Sequence, residues 1–164
     1  MNKSVLGSMV TTSQPDDPVL TESEIRSAVG TRLEKYRGRS LLEQFALFMG
    51  MAQLMESALK AFYSRRYGVE LESLERWTLG QVKGALSDRG LRPDFVAHLQ
   101  SIVGYRNHMA HGFMADAFTS CALFQAETRF ESRELEKGAY ELEQLFVLFE
   151  WTEAHDAWGT DAAA

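Results

Sequence analysis

Ser40 to Gly68 reads SLLEQFALFMGMAQLMESALKAFYSRRYG, and this run decides the fold class. Ser40 and Glu43 have the spacing of a capping box, in which each side chain satisfies the other residue's free backbone donor. Leu41, Phe45, Phe48, Ala52, Met55, Leu59 and Phe62 then recur in steps of four and three. Such spacing draws one unbroken apolar stripe along about six helical turns, the spine of a helical bundle. Arg65 and Arg66 fall in the last turn, where cations complement the helix dipole, and Gly68 stops the helix. Gly50 costs roughly 1 kcal/mol against Ala inside a helix, so a close helix contact is expected there.

Toward the C-terminus, Thr78 and Gln81 form a second box of this kind, opening a short helix through Leu86. Arg89-Gly90-Leu91-Arg92 is a turn, and Pro93 sits where proline suits a helix, at its first position. The helix from Pro93 is expected to run to His111 and to be capped by Gly112. Residues 117–131 are either a connection or an early helical turn. A last helix over Ser132 to His155 carries Leu135, Leu142, Leu145, Phe149 and Thr152 on one side.

Toward the N-terminus, Thr21 and Glu24 form a third box, before a short helix with Ile25, Val29 and Tyr36 that stops near Gly38. Residues 1–20, with Pro15 and Pro18 around two acids, are expected to be a loose tail, as are residues 159–164. No alternating run of β-branched residues is long enough for a sheet. The expectation is one all-α domain over residues 21–158, a four- to five-helix antiparallel bundle.

A chain of 164 residues can bury a core without disulfides or metal. The single Cys121 excludes an internal disulfide framework, which fits a reducing compartment. With no sustained apolar run at the start and none of membrane-spanning length, a soluble, cytoplasmic protein is expected, without a membrane partner. The formal net charge of -6 argues against a broad, non-specific nucleic-acid coat. A local basic pocket remains compatible with it.

One position breaks the pattern. Phe95, Leu99, Ile102, Arg106, Met109 and Phe113 continue a helical stripe in which every member but Arg106 is apolar. Arg is almost never fully buried unless paired. Arg106 therefore either lays its stem along the surface or faces a carboxylate, a ligand anion or a subunit interface. Asn107, His108 and His111 follow in the expected last turn, where the helix dipole favours positive charge. His108 and His111 have a metal-compatible spacing, but no nearby Cys, Asp or Glu completes a zinc set. No metal and no cofactor are expected. His98 and His155 stand alone and are expected on the surface.

Tyr105-Arg106-Asn107-His108-Met109-Ala110-His111-Gly112 resembles the signature of the HEPN superfamily, an Arg followed after four to six residues by His, usually with Asn beside the Arg. Leu54 to Lys60 and Thr78 to Gln81 look like the first long helix and the short connecting helix of many bacterial members. The resemblance covers roughly residues 40 to 150. It implies a helical bundle that forms a homodimer with two motifs face to face, and a metal-independent endoribonuclease serving as a toxin or antiviral defence effector. In one branch an antitoxin nucleotidyltransferase acts on a Tyr two positions after the His; here that position is Phe113, which has no ring hydroxyl. Other members lack activity and bind RNA or a partner protein.

On this resemblance Arg106 and His111 are the catalytic pair, with Asn107 orienting the His or binding a phosphate oxygen. RNA carries its own nucleophile, the 2′-hydroxyl, so the protein needs a proton-transfer group and donors for the phosphate. Imidazole and a guanidinium fork supply both. His108 is a candidate second proton-transfer group, and Glu56, on the flank of the long helix, a candidate partner for Arg106 or His111. Arg65 and Arg66, with Arg89 and Arg92, are candidates for extending a basic RNA groove. The same donors would suit a free nucleotide, and an antitoxin or regulatory protein is a candidate partner.

Overall fold

Each of the three capping boxes starts a helix in the computed structural model, which describes residues 19–124 and 129–159. The Ser40 hydroxyl accepts the Glu43 amide at 3.3 Å while the Glu43 carboxylate accepts the Ser40 amide at 2.8 Å. Thr21 with Glu24 and Thr78 with Gln81 repeat this arrangement. The helices are α1 (Glu22–Leu33), α2 (Leu41–Tyr67), α3 (Leu79–Asp88), α4 (Pro93–His108), α5 (Met114–Phe124) and α6 (Arg129–His155). Short 3-10 turns occupy Glu34–Tyr36 and Leu71–Leu74. Among the described residues there is no strand, and the chain is all-α. Gly68 and Gly90 end α2 and turn the chain before α4 with φ of 66° and 77°, a region closed to most side chains. The expected tails lie outside the described residues, apart from Val19, Leu20 and Gly159.

The helix from Pro93 does not stop at Gly112. Gly112 has no positive φ, so the left-handed cap expected there does not form. Met109–Phe113 instead make a π-helical turn that passes straight into α5. Packing explains why the local stop signal fails. Met109, Phe113 and Ala117 are all buried, and each draws the chain onward against the core. With α4 and α5 joined, the described residues form five rods.

Their directions differ in part from an all-antiparallel bundle. Phe95 near the start of α4 packs on Trp158, which also packs on Phe62 late in α2. Phe113 stacks on Phe45 at the other end of α2. So α4 runs antiparallel to α2. A Cβ on Gly138 of α6 would meet Phe48 at 3.3 Å, and Arg65 and Arg66 late in α2 pair with Glu153 and Asp156 at the end of α6. Hence α2 and α6 run parallel. The 3-10 segment after Gly68 lets the chain double back before α3, which frees the bundle from strict alternation.

The stripe of α2 is the core as expected, with Phe48, Ala52, Met55, Leu59 and Phe62 buried. Leu135, Leu142, Leu145 and Thr152 of α6 face it. A Cβ added to Gly50 would meet nothing within 4 Å, so the close helix contact expected there does not occur among the described residues. Trp158, three residues past α6, is a core anchor that periodicity did not reveal. Its backbone oxygen accepts the Arg92 amide at 2.8 Å, tying this end of the chain to the start of α4.

Helix α1 is held differently, through charge. Glu143 of α6 is fully buried, accepts the Tyr36 hydroxyl at 3.0 Å and pairs with Lys35 at 2.7 Å and Arg32 at 3.8 Å. Burial, and then the adjacent Glu143 charge, push the Tyr36 phenol well above its ordinary range. No helix among the described residues is long and apolar enough to cross a membrane.

Candidate functional site around the π turn

π turns insert an extra residue into a helix and recur at functional sites. Here the inserted turn coincides with His111, and Arg106, Asn107 and His108 are in the turn before it. The turn is seated by Phe113, 1 % exposed, whose ring lies parallel to that of Phe45 at 5.9 Å. The catalytic candidates are thus carried on a rod fixed to the N-terminal end of α2.

Arg106 is partly buried, the only non-buried member of its stripe. Among the described residues its guanidinium makes no hydrogen bond and no ion pair. Asn107 and His111 are exposed. Arg106 and His111 are five positions apart, which in a regular helix leaves them about 140° apart. The wider π turn reduces that angle, because its hydrogen bonds join residues five apart. Asn107 and His111, four apart, lie on one exposed side. With the helix continuing through the turn, the dipole terminus expected to act on His108 and His111 is absent.

His108 points the other way, into α6. Its Nε2 lies 3.2 Å from a Glu134 carboxylate oxygen, and the ring meets Phe113 edge-on at 6.2 Å between centroids. Since an ionised carboxylate only accepts, the imidazole donates here and leaves Nδ1 as the other ring atom in play. A groove of about 390 Å³ opens beside this pair between α4 and α6. Ser101, Gly104, Tyr105 and His108 form its α4 wall; Glu134, Lys137 and Glu141 form its α6 wall. The Tyr105 hydroxyl approaches Glu141 at 3.4 Å. Gly138 permits this, since a side chain there would press on the Tyr105 ring at 3.3 Å.

Other expected members of the site are elsewhere. Glu56 pairs with Lys60 at 2.9 Å, not with Arg106 or His111, and Lys60 also donates to the Glu75 carbonyl. The i, i+4 spacing makes that pair the nearest solution for both charges. Arg65 and Arg66 lie twenty or more residues along α2 from Phe45, about 30 Å away, and pair with Glu153 and Asp156. Arg89 lies over the Tyr67 ring and Arg92 forks onto Asp94, whose carboxyl that bond holds below its ordinary range. Among the described residues these four lie toward the opposite end of the bundle from His111. His98 is not a lone surface residue either: its Nε2 bonds to the Glu141 carbonyl at 2.7 Å. His155 is exposed and stacks on Trp151.

Glu134, Lys137 and Glu141 were not found from the sequence. Their spacing places them on one ridge of α6, but only the packing of α6 on α4 turns that ridge toward His108. Among the described residues no three His, Cys, Asp or Glu side chains converge as a metal-binding group. No family model, no curated protein and no solved structure matches this chain.

Proposed function

We propose that this chain is a metal-independent endoribonuclease of the HEPN type, working as a toxin or antiviral defence effector, with Arg106, Asn107 and His111 as its working residues and a homodimer as its active form. The observation that carries this reading is Arg106 itself. A guanidinium on an apolar stripe, partly buried and without an ion partner among the described residues, is held ready for an anion. The exposed His111 follows it by little more than one turn.

The reaction needs little beyond these groups. The RNA 2′-oxygen attacks the adjacent phosphorus, the bond to the 5′-oxygen breaks, and a 2′,3′-cyclic phosphate and a 5′-hydroxyl result. His111 takes the proton from the 2′-hydroxyl or gives one to the departing 5′-oxygen. Arg106 donates to the phosphate oxygens as negative charge accumulates on them. Asn107 donates to the phosphate or orients His111.

A second reading has one observation in its favour. Arg106 is partly buried while His111 is exposed, an arrangement that also suits a non-catalytic dimer binding RNA or a partner protein. Incubating the purified protein with mixed cellular RNA in EDTA, beside Arg106→Ala and His111→Ala, separates the two. Cutting by the wild type alone is expected. Cutting by all three would remove the proposed site, and cutting by none, with each protein folded and dimeric, would favour the binding module.

A further inference from the structure

The groove between α4 and α6 has the hydrogen-bonding pattern of a nucleobase site, and this inference rests on the reading of the neighbouring turn as an RNA site. Glu134, Lys137 and Glu141 are spaced i, i+3 and i+7 on α6, so an acceptor, a donor and an acceptor follow one another along one wall. Lys137 is exposed and, among the described residues, makes no ion pair with either glutamate. The opposite wall is made by Tyr105 and His108, whose hydroxyl and Nε2 reach across to Glu141 and Glu134, with Gly104 between Ser101 and Tyr105. A side chain at Gly104 would meet nothing within 4 Å, which leaves space for a planar ligand to enter. The two carboxylates make the groove a poor host for phosphate and a good one for hydrogen-bond donors. Lys137 among them makes it a poor host for a simple cation.

We infer that this groove binds a guanine base of the RNA, beside the phosphate held at the π turn. Guanine alone among the four bases presents two adjacent donors, N1–H and the 2-amino group, next to an acceptor, O6. A carboxylate of Glu134 or Glu141 accepts both donors side by side, and the Lys137 ammonium donates to O6. Tyr105 and His108 flank the base, the kind of aromatic neighbours that unpaired RNA bases take. Adenine, cytosine and uracil have no pair of adjacent donors on their pairing edges, so none of them fills a carboxylate with two parallel bonds. The groove thereby sets sequence preference, while Arg106 and His111 act on the backbone.

The test is titration calorimetry of the full chain, in EDTA, with guanosine, inosine, adenosine, cytidine and uridine 5′-monophosphates. Guanosine monophosphate is expected to bind at least tenfold tighter than the other four, inosine losing affinity because it lacks the 2-amino group. Glu134→Gln/Glu141→Gln should bring all five within about threefold. Arg106→Ala should keep the preference. Equal binding of all five by the wild type, no binding, or a preference that survives the double substitution would overturn the inference. So would tighter binding of acetyl-arginine amide than of guanosine monophosphate, which would assign the groove to a protein side chain. Guanine preference without RNA cleavage would remove the ribonuclease reading and keep the base site. Cleavage without guanine preference would do the reverse.

Discussion

The rings of Phe45 and Phe113 lie parallel within 1°, with centroids 5.9 Å apart. This one stack joins the start of the longest helix to the turn that carries His111. Phe113 is buried and Phe45 partly so. The π turn is therefore supported from the core side while its polar residues face outward. A site built on such a turn keeps its geometry only as long as the stack holds.

Phe113→Ala removes a ring that is 1 % exposed and leaves a cavity under the turn. A loss of about 3–5 kcal/mol in folding stability is expected. Urea denaturation followed by circular dichroism measures it. A loss below about 1 kcal/mol would show that Phe113 does not anchor the turn. The burial of this ring also bears on the resemblance: even a Tyr at this position would carry its hydroxyl on a side chain packed in the core.

Arg106→Ala separates site from scaffold. Since Arg106 has no ion partner among the described residues, its removal leaves no buried carboxylate uncompensated. Stability should change by less than about 1 kcal/mol, in the range of a surface substitution. RNA cleavage should fall by about a hundred- to a thousandfold, the cost of losing one donor to a charge-building oxygen. A stability loss of about 3–5 kcal/mol would instead reveal a broken buried pair.

How far the sequence could be followed depends on the range of the interaction concerned. The boxes at Thr21, Ser40 and Thr78 close within three residues, so both partners stand together in the text. The stripe from Leu41 to Phe62 needs only helical periodicity. Gly112 misled for the converse reason: the stop signal is local, while Phe113 and Ala117 answer to helices far away in sequence. Glu134 is twenty-six residues from His108, and no local rule joins them. Glu56 shows a nearer partner winning over a more distant one, with Lys60 one turn away. Arg106, by contrast, was legible because it breaks a pattern rather than forming one.

Tyr36 gives a pH dependence whose sign follows from its surroundings. Burial and Glu143 raise its folded-state value above the ordinary one of about 10. Below pH 10 the phenol is protonated in both states, and its contribution is fully present. Above pH 10 the unfolded chain releases a proton that the folded chain retains, so stability falls as pH rises. Unfolding free energies from urea titrations between pH 9 and 11 should drop by up to about 1.4 kcal/mol per pH unit more in the wild type than in Tyr36→Phe. Parallel curves for the two proteins would show that the phenol is not held protonated.

Two glycines inside long helices should respond to alanine with opposite sign. Gly50 of α2 is exposed, and nothing lies within 4 Å of an added Cβ. Gly50→Ala should therefore raise stability by about 0.5–1 kcal/mol through helix propensity alone. Gly138 of α6 gains the same propensity, but its Cβ would sit 3.3 Å from both the Phe48 and Tyr105 rings. Phe48 is fully buried and has nowhere to retreat. Overpacking of this kind costs about 1–3 kcal/mol, so Gly138→Ala should be net destabilising. It should also displace Tyr105 from the groove wall. Thermal melts of the two variants, with the tyrosine ring resonances as a local probe, decide the matter. A Gly50→Ala protein less stable than wild type would show that this face of α2 is covered by something beyond the described residues, since a close neighbour is what makes an exposed alanine unwelcome.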